Sequence, residues 1–289
     1  MTPAEVTWMM AGPVGVALAI FLIFWRPWQK DLPGLAPWAL PVAVVISYPL
    51  GHVTISSFPG FPPVTADEWL VYAAIVTGGW AVIEARYLPR PTVVRRIVRL
   101  ALLGLLFWLA ASSHLPPLNL GFLLVAVYSA MAWLDRSTRT NQAPVTLWIL
   151  TTGAAASAPI FLMGASFKLA FLSATLAGIT GAAALVSTIF APGRRLVLSP
   201  FILPFTAILA GLFISGTLFA LVPFFAAPAI AIACLVPLAL SRFHVIVRLS
   251  LAVVLAAGSV GYTYYETQSD QPTSETDMEE WESQDPYSW

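Results

Sequence analysis

The stretch that decides the fold runs from Ser166 to Ala191 and reads SFKLAFLSATLAGITGAAALVSTIFA, with Lys168 as its one charged residue. About 20 apolar residues in a helix cross the hydrocarbon of a bilayer. An open strand cannot satisfy its backbone hydrogen bonds in lipid, whereas a helix satisfies them internally. The stretch therefore predicts a transmembrane helix.

Similar apolar runs fill the rest of the chain. Of 289 residues, 58% are hydrophobic and 10% are charged, with a mean hydropathy of +0.82, whereas a soluble domain carries about 25% charged residues. The sequence predicts an all-α, polytopic transmembrane helix bundle over residues 1–265. Its ten or so spans lie near 8–25, 35–54, 69–88, 97–115, 118–134, 144–164, 166–191, 200–220, 222–240 and 244–265.

The charges of the connections predict the orientation. Residues 1–265 carry 14 basic and 6 acidic groups, and all the basic residues except Lys168 fall in or beside alternate connections. Basic connections stay in the cytoplasm, so both termini are expected outside it. Glu5 alone precedes the first run, which favours a retained span over a secretory signal. We expect a multi-pass protein of a cell membrane, of the bacterial inner-membrane type.

Residues 266–289 form an acidic tail with 8 acids and no Lys or Arg. Such a segment buries too little apolar area to fold alone, so a disordered end is expected. Its aromatic residues Trp281, Tyr287 and Trp289 leave open a docking segment for a basic protein partner. The other expected partner is the lipid bilayer, and no feature points to nucleic acid.

Small residues and prolines recur within the spans. Pairs such as Ala174 and Gly178, or Ala207 and Gly211, allow close approach of helix backbones, which predicts packing within the chain, with a dimer seam as the alternative. Prolines fall inside several spans, and broken helices often mark the site of a transporter. Five plus five spans permit an inverted repeat, although the two halves share no motif.

The outer polar inventory centres on HVTISSFPGFPPVTADEW, residues 52–69. Thr65 followed by Glu68 is a capping-box pattern, and Asp67 and Glu68 suit the positive end of a helix dipole. A structural role for both acids is therefore favoured. His52 and His114 end spans on the same side, and with these acids they offer a metal-binding or acid–base set as the alternative.

Candidate functional polar residues remain few. No catalytic, cofactor-binding or metal-binding residue is assigned. The candidates are His52, Asp67, Glu68, Glu84, His114 and Lys168. Glu84 is the one acid well inside a span, and an ion pair with Arg86 is favoured over a functional role.

The sequence excludes several function classes and leaves three. It has no P-loop, no GxSxG motif and no glycine-rich dinucleotide turn, no cofactor is expected, and the absence of central carboxylates argues against a proton-coupled pump. The leading hypothesis is binding or transport of a small neutral or apolar solute. The alternatives are a non-catalytic scaffold or assembly subunit and, behind it, a membrane enzyme acting at the outer face on a lipid-linked substrate.

Overall fold

Ten α-helices form the computed structural model, which describes residues 3–26, 36–87, 92–112, 114–190 and 196–269. No strand occurs within these ranges, which confirms the all-α prediction, and each helix coincides with one predicted span. The helices are α1 (Pro3–Trp25), α2 (Ala39–Ile55), α3 (Ala66–Tyr87), α4 (Val93–Ala111), α5 (Pro117–Thr140), α6 (Ala143–Met163), α7 (Phe167–Phe190), α8 (Ile202–Phe219), α9 (Ala226–Ala239) and α10 (Val245–Ser269).

Six of the described helices, α1, α5, α6, α7, α8 and α10, are long and apolar enough to cross a membrane. The apolar helices α2 and α9 are shorter, while α3 and α4 carry charged residues within their length. The fold fits a multi-pass membrane protein, and the count of ten spans and the side of the termini stay predictions. Helix α10 continues past the predicted boundary at 265, and the tail prediction for 270–289 lies outside the described residues.

Glycines let neighbouring helices approach closely within the chain. A Cβ at Gly178 would meet the side chain of Val14 on α1, and one at Gly181 would lie 3.2 Å from Thr151 Cγ2 on α6. Gly211 on α8 faces Leu70 on α3 in the same way. The predicted packing of these small residues inside the chain is confirmed.

The helix pairing of the first five helices is repeated in part by the second five. Helix α1 packs on α2 as α6 packs on α7, α2 packs on α3 as α7 packs on α8, and α4 packs on α5 as α9 packs on α10. Helices α2 and α7 pack on each other, as do α3 and α8, so equivalent helices meet at the centre. The repeat is incomplete, since α10 packs on α6 without comparable packing of α5 on α1.

We call the end of the bundle that holds connection 56–65 the outer end and the opposite end the inner end, following the predicted orientation. His114, after α4, packs against Phe219 at the end of α8. At the opposite end, Arg248 of α10 bonds to Asn141 after α5. Each contact joins two helix ends that lie on the same side of the bundle if successive helices alternate in direction.

The short connection between α6 and α7 is a tight turn. Ala165 has a φ of 58°, the left-handed region that disfavours residues with a Cβ. A Cβ at Gly164 would overlap the carbonyl oxygen of Ala220, so glycine permits the turn to sit against the α8–α9 connection. The two long helices are therefore separate helices joined by residues 164–166, as the sequence predicts.

Candidate functional site: two ion clusters on one helix

The outer cluster consists of His52 on α2, Asp67 on α3 and Lys168 on α7. The Lys168 ammonium forms an ion pair with Asp67 Oδ2, and His52 Nε2 lies 3.8 Å from the same oxygen. This helix end is held in place by the connection before it, because the Tyr72 hydroxyl donates to the carbonyl oxygen of Pro59 at 3.0 Å. Three candidate residues predicted on separate helices thus meet at one carboxylate.

His52 is buried although its ring is polar. It is 1% exposed, and its Nδ1 lies 3.2 Å from the Ser56 hydroxyl one turn further along α2. Its Nε2 has no hydrogen-bond partner among the described residues, since 3.8 Å from Asp67 is too long for one. A buried polar nitrogen without a hydrogen bond lowers the stability of the fold. A protein can retain that cost where the group has a function.

Asp67 lies in the first turn of α3, ahead of its apolar stretch. Burial acts to raise the pKa of this carboxyl, but interactions with His52, Lys168 and Thr65 and the charge of Lys168 outweigh it, so the pKa lies well below its usual range. A carboxyl with a lowered folded-state pKa stabilises the fold above its unfolded pKa and loses that contribution as the pH falls. Asp67 is thus ionised at neutral pH.

Glu68 faces the start of its own helix, but neither of the two side-chain hydrogen bonds of the predicted capping box forms. Its Oε2 accepts from the backbone N–H of Val64 at 2.8 Å, one residue before the predicted partner, Thr65. The Glu68 N–H donates to the Thr65 carbonyl oxygen at 3.2 Å, while the Thr65 hydroxyl interacts with Asp67. The Thr65 hydroxyl, which the sequence pattern predicted to cap the helix, therefore interacts with the Asp67 carboxylate.

His114 has a different environment from His52. It is exposed, and its ring packs edge-on against Phe219 at 4.8 Å between centroids. In the part of the chain that the structure describes, no group of three or more His, Cys, Asp or Glu is placed to hold a metal ion. Among the described residues, His52, His114 and an acid therefore do not form a metal-binding group.

The inner cluster centres on Glu84, near the other end of α3. The Arg99 guanidinium donates to both of its carboxylate oxygens, from Nε at 2.7 Å and from Nη2 at 2.6 Å. Arg95 Nε lies 2.9 Å from Oε1. The sequence predicted a pair with Arg86, which was the wrong partner. The arginines at i and i+4 on α4 share one face and reach Glu84 together.

The inner cluster also ties in α5 and the segment before α8. Asp135 of α5 accepts from Arg95 Nη2 at 2.8 Å and lies 3.4 Å from Arg99 Nη1. The Ser199 hydroxyl bonds to both Arg95 and Asp135, and its carbonyl oxygen accepts from Arg99 at 2.7 Å. Arg95 and Arg99 balance the two carboxylates in charge, while Arg139, which also pairs with Asp135, is half-exposed. Glu84, Arg95 and Arg99 are all buried.

Between the two clusters, α3 carries no charged residue from Trp69 to Ile83. Beside it, halfway along α2, the hydroxyls of Ser47 and Tyr48 are buried without a hydrogen-bond partner among the described residues. Tyr48 and His52 lie four residues apart and so share a face of α2. A short row of polar groups thus leads from the outer cluster toward the middle of the bundle.

Sequence reasoning missed Ser47, Tyr48, Asp135 and Ser199. Asp135 was a readable signal, because it is an acid at the end of a span in a chain with few acids. Ser47 and Tyr48 carried no signal, since a hydroxyl within a span commonly bonds to its own helix.

Comparison with protein-family models, with curated proteins and with solved structures gives no match.

Proposed function

We propose that the protein transports a small neutral or apolar solute by opening its outer and inner clusters in alternation. The observation that carries this proposal is that one helix, α3, enters an ion cluster at each end, and each cluster joins it to a different set of helices. The outer cluster reaches α2 and α7. The inner cluster reaches α4, α5 and the segment before α8.

The separation of the clusters supports two barriers. Asp67 and Glu84 are 17 positions apart on one helix, which at 1.5 Å per residue is about 25 Å. The hydrocarbon core is about 30 Å thick. Each cluster therefore lies near one surface of the membrane. The outer cluster closes the path from the outer side, and the inner cluster closes the path from the inner side.

The chemistry between the clusters supports an uncharged solute. The α3 segment from Trp69 to Ile83 offers apolar groups and the Tyr72 and Thr77 hydroxyls, but no charge. A charged solute at that depth needs an opposite charge or a ring of dipoles. The partial repeat of helix pairing, with α2 on α7 and α3 on α8 at its centre, is also the arrangement in which transporters place a site between two halves.

A scaffold role is the second candidate, and one observation favours it. A shallow cleft between α3, α4 and α8 is lined by apolar side chains, among them Trp69, Leu70, Phe107 and Ile214. A partner helix or a lipid tail fills such a cleft. In a scaffold the ion clusters hold helices together permanently and do not open.

The test is a disulfide across the outer end. A Cβ at Gly51 on α2 would lie 3.4 Å from Thr175 Cβ on α7, close to the separation in a disulfide. Gly51→Cys with Thr175→Cys, in a Cys234→Ala background, therefore joins the two helices that must separate if the outer cluster opens. The matched control joins α6 to α7 through Thr151→Cys and Gly181→Cys.

Solutes are first chosen from a panel of small neutral molecules by the rise in unfolding temperature of the purified protein, and flux is then measured in liposomes. Oxidation should stop flux through the Gly51–Thr175 pair and a reductant should restore it, while the control pair keeps its flux. Unchanged flux in the oxidised Gly51–Thr175 protein would contradict alternating access.

A further inference from the structure

We infer that His52 is a proton-binding site at the outer end of the bundle, and that the proton is the coupling ion of the transport proposed above. The proton site follows from the geometry of the outer cluster alone. Its role as a coupling ion rests on the proposed function. Histidine is the side chain whose charge ordinarily changes between about pH 5 and pH 8.

One carboxylate oxygen faces two basic side chains in the outer cluster. Asp67 Oδ2 is paired with Lys168 and lies 3.8 Å from His52 Nε2. Because His52 Nε2 has no hydrogen-bond partner among the described residues, a proton placed there finds Asp67 as its acceptor. A short movement of the ring or of the carboxylate makes that bond.

Charge balance makes the two pairings exclusive. With a neutral His52, the single negative charge of Asp67 balances the single positive charge of Lys168. A proton on His52 adds a positive charge at a site that is 1% exposed, and an unbalanced buried charge is costly. The Lys168 side chain is 33% exposed, so its ammonium can move into water and leave Asp67 to the imidazolium.

Among the described side chains, Asp67 is the one acid within ion-pair distance of His52. Its own helix offers the Ser56 hydroxyl and the phenol of Tyr48. Helix α3 contributes Asp67, and α7 contributes Lys168. Helix α1 and the turn before α2 also pack on α2, and the part of them whose side chains the structure describes, residues 8–25 and 37–38, includes no titratable group.

Proton uptake therefore changes which helices are tied together. A proton from the outer solution binds the lone pair of His52 Nε2, and the new N–H donates to the Asp67 carboxylate. Lys168 keeps its proton and enters water. Helix α7 then loses its ion pair to α3, which loosens the outer end, and release of the proton restores the pair. The proton site lies at the outer end of the bundle, whereas the sequence prediction concerned carboxylates at its centre.

A thiol at the α2–α7 seam reports this loosening in the full-length protein. Thr175→Cys in a Cys234→Ala background places a buried thiol beside Gly51, about 10 Å along α7 from Lys168. Its reaction rate with an impermeant thiosulfonate applied from outside is divided by the rate of Gly60→Cys at the same pH. Gly60 lies in the exposed outer connection, so the ratio cancels the pH dependence of the thiol itself.

The ratio should rise roughly tenfold or more between about pH 8 and about pH 5.5, because 2.5 pH units change the protonated-to-neutral ratio of an imidazole about 300-fold. His52→Gln should abolish the rise, whereas His114→Gln and His244→Gln should retain it. A flat ratio in the parent protein, or an unchanged rise in His52→Gln, would overturn the inference.

Two further variants test the inference if His52→Gln fails to fold. Lys168→Gln should give a high ratio at both pH values, and Asp67→Asn should give a ratio that does not depend on pH. A rise with falling pH that persists in either variant contradicts the competition for Asp67. Flux without pH-dependent exposure refutes the proton site alone, while pH-dependent exposure without flux of any solute refutes the transport role and leaves the proton site standing.

Discussion

Substitution of Glu84 by glutamine should be among the most destabilising single changes in the protein. Glu84 is fully buried and receives Arg99 at 2.6 Å and 2.7 Å and Arg95 at 2.9 Å. Glutamine keeps the shape but removes the charge, which leaves two buried guanidinium groups with Asp135 as their remaining carboxylate. Removing one partner of a buried ion pair costs about 3–5 kcal/mol.

The matched control is Arg139→Gln. Arg139 Nη2 lies 3.0 Å from the same inner cluster, at Asp135 Oδ2, but its side chain is 45% exposed, and exposed pairs contribute about 0–1 kcal/mol. At roughly 2–4 °C per kcal/mol, Glu84→Gln should lower the unfolding midpoint by about 6–20 °C and Arg139→Gln by less than about 4 °C.

Cys234 supplies the assay. It is the one cysteine of the chain and is buried, so a maleimide dye that fluoresces on reaction reports unfolding of the purified protein in detergent. Adding Arg99→Gln to Glu84→Gln should recover part of the loss, because the two changes remove opposite charges in contact. An unfolding midpoint for Glu84→Gln within about 2 °C of that of the unsubstituted protein would refute the conclusion that the Glu84 charge balances the buried arginines of the inner cluster.

Three further predictions concern the turn, the outer carboxylate and the orientation. Gly164→Ala should lower the unfolding midpoint because the added Cβ overlaps the Ala220 carbonyl oxygen, whereas Gly60→Ala, which meets nothing within 4 Å, should not; equal effects would contradict the close approach. Because the pKa of Asp67 is lowered in the folded protein, Asp67→Asn should be less stable than the unsubstituted protein at about pH 6, and the difference should shrink as the pH falls below about 4; a difference that grows toward acid would contradict this sign. A cysteine at position 60 should react with an impermeant reagent from outside intact cells and one at Thr140 should not, in a Cys234→Ala background, and reversed labelling would overturn the orientation.

The helices were predictable from the sequence because the apolar runs and the connections that separate them are local features. All ten helices lie on predicted spans, and the tight turn at Gly164 follows from a glycine between two long runs. The contacts between the inner ends of α3 and α4 were harder to predict from the sequence. Arg95 and Arg99 were assigned to a basic connection, yet they lie within α4 and turn inward to Glu84. Which face of α4 meets α3 is a property of packing that hydropathy does not encode.

The residues of the outer cluster were predictable from the sequence, but their meeting at one site was not. His52, Asp67 and Lys168 were selected because each is polar at the outer end of a predicted span. That they meet depends on α2, α3 and α7 being neighbours, which the sequence does not state. The predicted hydrogen-bond partner of the Glu68 carboxylate was wrong for a local reason. The Thr65 hydroxyl interacts with Asp67, and the Glu68 carboxylate accepts from the Val64 N–H instead.

The central claim, that the two clusters are alternate barriers, is tested most directly at Ser47, which is buried halfway along α2. Ser47→Cys in a Cys234→Ala background is treated with an impermeant thiol reagent from each side of sealed vesicles, alone and combined with Asp67→Asn or Glu84→Gln. The account predicts that the thiol is protected in the parent, reacts from the outer side when Asp67→Asn is added, and reacts from the inner side when Glu84→Gln is added. A thiol that stays protected in both combinations, or that reacts from both sides in either one, would contradict it.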